Sequence, residues 1–572
     1  MPQFPAYLHG FAFARQVGEI RAATPAEVGP AFDALERRVA AGLHAAGFVC
    51  YEAASGINEA LPAGSPHAMP LLWFGLYEER RAEPFPRHDA PFRCTDWRPS
   101  LGEEQYGSAV ETIRELIAAG ETYQVNFTLR QRFAFAGCPR SFFSELCRSQ
   151  PTPYNCYLEC GRWRILSASP ELFFSLTGEK LITRPMKGTA PRGRWWEEDV
   201  ARKEQLRRTP KEAAENLMIV DLLRNDMGIV SRTGSVRVTS LFDVESHPTV
   251  HQMTSTIESR LKAGVTPRQL FRALFPCGSV TGAPKRRSME IIDRLESDPR
   301  GLYTGSLGYF SPGGEAKFSV AIRTAVINSQ TGCGEIGIGS GVTWDATPDA
   351  EYRECLEKGR FAREKRPEFH LIESLLYEEG SYFLLERHME RLTRSAGYFS
   401  FPFDAAAARH TLAEAAAGLD RARRYKVRLS LFPDGTARCE AAEIHEPDAE
   451  VKAAFARRRV DPNDPFLFHK TSRRELYQQE LSGRSGVQEV IFLNERDEIT
   501  EGTYSNVVAR IGGRDFTPSL SCGLLPGTLR EELLARGEIE EKILKREDLE
   551  RAEALYLVNS VRKWRKAALV LD

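Results

Sequence analysis

Lys187 stands in the run Arg184-Pro185-Met186-Lys187-Gly188-Thr189-Ala190-Pro191-Arg192-Gly193, with a proline and a glycine close on either side. A lysine so placed could be a nucleophile, but only as the neutral amine, and an unperturbed lysine titrates near about 10.4. Burial or a neighbouring cation would have to depress it. A solvated loop lysine at the end of a strand satisfies the same ten residues, so the neighbours must decide.

Two pairs of glutamates, Glu212 with Glu215 and Glu351 with Glu354, each stand three residues apart in runs rich in helix formers, and Lys358 follows Glu354 by four. That spacing puts each pair on one helical face. Such pairs could give hard oxygen ligands to Mg²⁺, which takes only one or two carboxylates from a protein and keeps several waters. Ordinary solvated helix faces show the same spacing. The segments Gly278 to Lys285 and Gly337 to Val342 are rich in glycine, which lets backbone N–H groups approach an anion but more often marks a turn. Arg323, between Ile322 and Thr324, could grip a carboxylate bidentately or serve a buried structural ion pair.

The second half carries another set. Lys470 follows Phe466-Leu467-Phe468-His469, Glu501 precedes Gly502-Thr503-Tyr504-Ser505-Asn506, and Leu525-Pro526-Gly527-Thr528 leads into a helix from Glu531 to Ala535. A pyridoxal phosphate enzyme needs a lysine for the Schiff base, an acid at the pyridine nitrogen and helix-start amides for the phosphate. These residues could fill those roles, as could a surface lysine among ordinary turns.

The elements that must position these groups read as α+β throughout. Strand-like Lys317–Ile322 and the amphipathic run Tyr106–Ala119 typify the first part. The charged stretch from Arg360 to Arg366, ending at Pro367, marks a boundary, so the expected domains are 1–366 and 367–572. The second part opens with a strand from Phe369, a turn at Glu379-Gly380, a second strand and a helix near Arg387–Ala396. The tract Ala405–Ala417 reads as a further helix.

The chain has 572 residues, enough for several cores, and its 77 basic and 78 acidic side chains nearly cancel. Neither nucleic acid nor a membrane surface is implied, and small-molecule chemistry is expected. The eleven cysteines lack a zinc-type double pair, which fits reduced thiols in a cytoplasm. The opening residues show no apolar signal segment, and no run reaches membrane-spanning length.

Ordered blocks across residues 100–360 resemble the chorismate-utilising enzymes. They are Glu121-Thr122-Tyr123-Gln124-Val125-Asn126, Ser169-Pro170-Glu171, Met186-Lys187-Gly188-Thr189, the Glu215 helix, Gly278–Lys285 and Gly339–Lys358. The resemblance implies a fold of large mixed sheets with helices, and a chorismate carboxylate held by Mg²⁺ on Glu215 and Glu354 with Glu212 and Glu351 near its water shell. Arg323, Tyr303, Gly339 and Lys358 match positions that hold the substrate, and His251 matches an active-site histidine. Within that family anthranilate synthases have alanine at the position of Lys187, whereas aminodeoxychorismate synthase component I enzymes have lysine. The implied roles are Glu171 as general acid and Lys187 as nucleophile. No cysteine sits in a Gly-x-Cys-x-Gly elbow, so a separate glutamine amidotransferase subunit is expected to supply ammonia.

From Phe369 to Val561 the order and local wording resemble fold-type IV pyridoxal phosphate enzymes, which include branched-chain aminotransferases and 4-amino-4-deoxychorismate lyase. This implies Lys470 as the catalytic, cofactor-bearing lysine, with Glu501, Asn506, Gly527 and Thr528 around the cofactor and Arg428 on a substrate carboxylate. Relatives commonly read Leu-Pro-Gly-Ile-Thr-Arg, whereas this chain reads Leu-Pro-Gly-Thr-Leu-Arg, so the phosphate-binding hydroxyl is displaced by one position. A homodimer through this domain is compatible with the resemblance. The fusion favours a lyase that takes the first domain's product on to 4-aminobenzoate; a broad aminotransferase and a non-catalytic dimerisation module are the alternatives.

Overall fold

In the computed structural model, residues 4–62, 64, 68–445 and 450–570 are described. They form two compact units of mixed helix and sheet. One runs to Pro191 and again from Lys203 to Arg366; the other joins Arg192–Arg202 to the chain from Pro367 onward. The sequence division at 366/367 would leave Arg192–Arg202 with the first unit, but in space this segment packs with the second.

The first unit is built on an eighteen-stranded sheet whose paired strands run antiparallel. One core cluster is made almost wholly of strand residues, among them Phe13, Phe48, Trp73, Ile165 and Leu307, as where sheet faces sheet. The two other large clusters set sheet residues against helices. Pro210–Val230 and Pro267–Leu274 close one; Glu103–Ala118, Lys285–Leu295 and Pro348–Gly359 close the other.

Local sequence explains the two helices that carry the glutamate pairs. Each starts with Thr-Pro, the proline at the first helical position where its missing N–H costs nothing. Pro210–Val230 buries Asn216, Ile219, Val220, Leu223, Met227 and Val230, a stripe at three- and four-residue spacing. Pro348–Gly359 buries Tyr352, Cys355 and Gly359, which leaves Glu351, Glu354 and Lys358 on another face.

The strand Met186–Pro191 is irregular where it matters. Against Val250–Arg260 its register passes from Met186 opposite Thr254 to Thr189 opposite Gln252. Lys187 and Gly188 together stand opposite the single residue Met253, so the strand bulges there, and Gly188 takes φ +96°, a conformation glycine adopts without strain. A bulge re-aims the side chain it carries.

The second unit has two sheets. Leu371–Glu378, Ser381–Tyr382, Tyr425–Leu431 and Ala437–Glu443 form a four-stranded antiparallel sheet covered by the helices Leu385–Phe399 and Ala405–Ala417. An eight-stranded sheet from Glu450–Val460 to Lys563–Leu569 includes an additional pairing of Glu501 with Asn506. Lys470 lies between two strands of the eight-stranded sheet, Glu450–Val460 and Glu489–Asn494, after a 3₁₀ turn at Pro465–Leu467; its carbonyl accepts from the Ile372 amide at 2.9 Å. Among the described residues no helix is long and apolar enough to cross a membrane.

A buried ion pair ties the first unit's site loop to its frame. Arg300 and Glu296, 2% and 5% exposed, meet at 2.7 Å, and Arg300 also donates to the carbonyls of Val280 at 2.8 Å and Asn126 at 2.6 Å. Arg300→Leu strands Glu296 in a dry site and is expected to destabilise this unit by about 3–5 kcal/mol, read as a lowered urea midpoint. An unchanged midpoint would show that the pair carries no net weight.

Candidate active sites

In the first unit the bulge at Lys187 places its ammonium group among carboxylates without a tight partner. Nζ lies 3.8 Å from Glu215 Oε2. Burial pushes its pKa below the ordinary lysine value, against the opposing pull of Glu215 and with help from Lys358. The backbone is fixed on both sides: the Asn216 amide donates to the Lys187 carbonyl at 3.0 Å, and the Gln252 amide to the Gly188 carbonyl at 2.8 Å. Glycine at 341 makes room for the amine, since a Cβ there would strike Lys187 Nζ and Gln124 Nε2.

Glu171 lies beside this lysine. Its carboxyl accepts from the Ser279 hydroxyl at 2.6 Å, and the Met186 amide also bonds it. Burial raises its pKa to about 7, despite the opposing hydrogen bonds and Lys187. A carboxylic acid poised near neutrality and an amine held below its usual range make a proton donor and a nucleophile in one pocket.

Lys187 interacts electrostatically with all four glutamates singled out in the sequence. Burial and Glu215 together raise the pKa of Glu212; burial, then Glu354, raises that of Glu351. Burial would raise Glu354 too, but Lys358 at 2.6 Å holds it below the usual carboxylate range. Among the described residues no three His, Cys, Asp or Glu side chains stand close enough together to hold a metal ion. The donor set nonetheless fits a hard divalent cation, since four carboxylates face two ammonium groups and crowd one another's charge.

The remaining residues singled out in this half are spread around the same strand. Gly337, Gly339 and Gly341 alternate along Cys333–Val342 and so share one face. The Tyr303 ring fills the space of a side chain at 337, and Thr128 crowds position 339. Lys358 Nζ donates to the Gly339 carbonyl at 3.0 Å, and Arg323 donates to the Lys358 carbonyl. Burial lowers the Arg323 pKa to about 10, and its φ of +51° is rare for a side-chain-bearing residue. His251 sits in the ladder opposite Ala190, with Nδ1 3.1 Å from Ser246 Oγ.

In the second unit Lys470 is half-buried. Burial, with Arg391 and Arg474 as neighbouring cations, pushes its pKa down to about 7, against the pull of Glu373 and Glu501. Glu501 is buried, which raises its pKa; it accepts from the Tyr477 hydroxyl at 2.7 Å and the Leu525 amide at 3.1 Å. Gly527 caps the helix Thr528–Ala535. No side chain fits there, because a Cβ would meet Asn506 Oδ1, and the Asn506 amide donates to the Leu525 carbonyl. Asn506 therefore braces the loop. The Thr528 hydroxyl lies 3.3 Å from His388 Nε2.

Arg391 escaped the sequence reading, although the helix expected near Arg387–Ala396 contains it. Its guanidinium forks onto Glu373 at 2.9 and 2.7 Å and donates to the Pro526 carbonyl at 3.0 Å, at the head of the Gly527 loop. Burial would raise Glu373, but Arg391 and His388 hold it down at about 2. The spacing His388-x-x-Arg391 on an amphipathic helix was the available signal, and its acid lies on a separate strand. Arg428 is exposed on Tyr425–Leu431, opposite Ser374.

The fold of the first unit and its acid-lined lysine pocket define a chorismate-binding enzyme. Residues 7–364 match the family described as chorismate binding enzyme, and the chain belongs to that family. Residues 370–570 match the class IV amino-transferase family. More particularly, the chain is 41% identical over 297 residues to aminodeoxychorismate synthase component 1 of Escherichia coli K12, covering 51% of this chain and 65% of that one. It is 43% identical over 276 residues to aminodeoxychorismate synthase of Streptomyces pristinaespiralis, covering 48% and 38%. The chain thus spans less than two thirds of these relatives. Anthranilate synthase component I of Streptococcus pneumoniae TIGR4 has a similar structure, with a TM-score of 0.57, 26% identity and coverage of 64% and 94%.

Glu171 titrates near 7 in the fold, against about 4.5 when unperturbed, so the folded state holds an extra proton between those values. Stability is therefore lost as pH rises through that window. Glu171→Gln removes the loss and should gain on the wild type between pH 5 and pH 8, by up to about 3 kcal/mol. Parallel urea midpoints across that range would mean that Glu171 titrates normally.

Proposed function

We propose that this chain makes 4-aminobenzoate from chorismate in two steps, amination in the first unit and elimination of pyruvate in the second. The observation that carries the reading is the pairing of Lys187 with Glu171: a largely buried amine below its usual pKa beside a carboxyl at about 7. In the first step Glu171 gives its proton to the departing 4-hydroxyl while the Lys187 amine adds at ring carbon 2. Ammonia then enters at carbon 4, and the carbon–nitrogen bond to Lys187 breaks with an allylic shift, which returns the amine. Two displacements put nitrogen where oxygen was, and the poor leaving group departs as water.

Glu215 and Glu354 would hold Mg²⁺, with Glu212 and Glu351 toward its water shell, and the cation would neutralise a substrate carboxylate. Arg323, Tyr303, Gly339 and Lys358 surround that substrate, and His251 stands on the neighbouring strand as a further active-site residue. Ammonia comes from a separate glutamine amidotransferase, in keeping with the name component 1 carried by the Escherichia coli relative.

Lys470 would hold pyridoxal phosphate, with Glu501 as the acid for the ring nitrogen. Arg391 and the backbone from Gly527 to Thr528 would hold the phosphate; the Thr528 hydroxyl is directed to His388 and Asn506 supports the loop from behind. When bound, the cofactor supplies an electron sink for the bond broken at substrate carbon 4. The Lys470 amine, half neutral at about pH 7 and more so above it, takes the proton from that carbon and returns it to the methylene of the departing enolpyruvyl group; the ring carbon–oxygen bond breaks, pyruvate leaves, and the ring becomes aromatic.

Elimination is favoured over transamination for two reasons. The product of the first unit is the substrate of the second. Arg428 also belongs to a group of cations, with Lys426, Arg474 and Arg562, whose mutual repulsion adds to burial in lowering the Lys426 pKa. Four such charges suit a substrate with more than one carboxylate.

Mass analysis of products from chorismate and ammonium tests the order of steps. Lys470→Ala should accumulate aminodeoxychorismate and release no pyruvate, while Lys187→Ala should form neither product. Wild-type amination by Lys187→Ala would remove the covalent step. Glu171→Gln should lower amination by about 10²–10⁴-fold, the usual worth of a positioned proton donor. Strong turnover with glutamine in the absence of a partner would refute the separate glutaminase.

A further inference from the structure

Eleven residues of the first half of the sequence are built into the second unit. Arg192–Arg202 follows the Lys187 strand directly and belongs with the chain from Pro367 onward. Its turn is closed from within: Arg192 meets the Asp199 carboxylate at 2.7 and 2.8 Å, and the Gly193 amide donates to the same carboxylate at 2.8 Å. Gly193 is required there, since a Cβ would collide with the backbone of Asp199.

This strap grips the residues around Lys470. Arg192 donates to the Tyr398 carbonyl at 2.8 Å and lies over its ring at 4.2 Å, while the Tyr398 hydroxyl donates to the Gly193 carbonyl at 2.7 Å. Tyr398 in turn packs on His469, with ring centroids 4.3 Å apart, and His469 Nδ1 lies 2.9 Å from Ser395 Oγ. The Trp195 ring meets Phe468 at 5.2 Å, Trp196 lies against Gly397, and Glu197 pairs with Arg394 at 2.8 Å. Phe468 and His469 are the two residues before Lys470. Trp195 and Trp196 also wall a cavity of about 380 Å³ whose lining includes Arg391, Pro526 and Glu531.

We infer that Arg192–Arg202 is a positioning strap for the second site: through Trp195 on Phe468 and Tyr398 on His469, it fixes where Lys470 stands. Nothing in the proposed amination uses these contacts. Burial, with Arg192 nearby, keeps His469 neutral down to about pH 3, so the packing does not vary with pH in the working range. The strap acts on Lys470 through its neighbours and touches no reacting atom.

The inference rests on Lys470 being the cofactor lysine, and the test separates the two. Hydrogen exchange is measured at residues 466–472 of the full, cofactor-free chain, and the visible absorbance of the pyridoxal-loaded chain is titrated with pH. Trp195→Ala should speed that exchange at least tenfold, move the titration midpoint by half a unit or more, and lower pyruvate release with amination unchanged. Trp195→Phe should restore all three. Tyr398→Phe, which removes only the bond to Gly193, should give a smaller change in the same direction and covers the case in which Trp195→Ala fails to fold.

Unchanged exchange overturns the strap, as does faster exchange with an unmoved midpoint. Faster exchange in a chain that never shows a visible band would uphold the grip on residues 466–472 and refute the cofactor reading.

Discussion

Burying an ionisable side chain without a tight counter-ion is costly, and both units of this chain maintain a lysine in that condition. Lys187 stands 3.8 Å from its nearest carboxylate, and Lys470 lies among two arginines and two glutamates. Neither arrangement maximises stability. Both hold an amine below its usual pKa, which favours the neutral form that addition or proton uptake requires.

The frames that do this differ. In the first unit a bulge with glycine at 188 turns Lys187 off the ladder, and three alternating glycines clear one strand face for the amine and the Tyr303 ring. The buried Arg300–Glu296 pair holds Val280, next to the Ser279 hydroxyl that bonds Glu171. In the second unit the lysine follows a short turn, and its own carbonyl is anchored to the four-stranded sheet. Its setting comes from Arg391, Glu373 and Glu501, residues from three separate elements, and from a strap that the chain supplies nearly 270 residues earlier by its numbering.

Much of the fold was legible because local signals agreed. The Ala405–Ala417 helix has the bounds that its composition suggested, and the turn at Glu379-Gly380 appears with both residues at positive φ. Helix ends were less so: the helix expected from Glu531 starts at Thr528, because Gly527 caps it and releases the chain three residues sooner. The glutamates and Lys358 were found by spacing, whereas Arg391 and Ser279 were missed, since a guanidinium or a hydroxyl acquires meaning only from what it faces.

By itself the sequence determined which groups are available: two lysines, their acids, the Thr-Pro helix starts and the glycines at 188, 337, 339 and 341, all set by residue type and near-neighbour spacing. Only the tertiary structure decided their state. Protonation depends on burial and on charges brought together from distant segments, and no local pattern encodes either. The same holds for Arg192–Arg202, whose sequence continues the Lys187 strand but whose aromatic rings and buried ion pair find their packing beside Lys470.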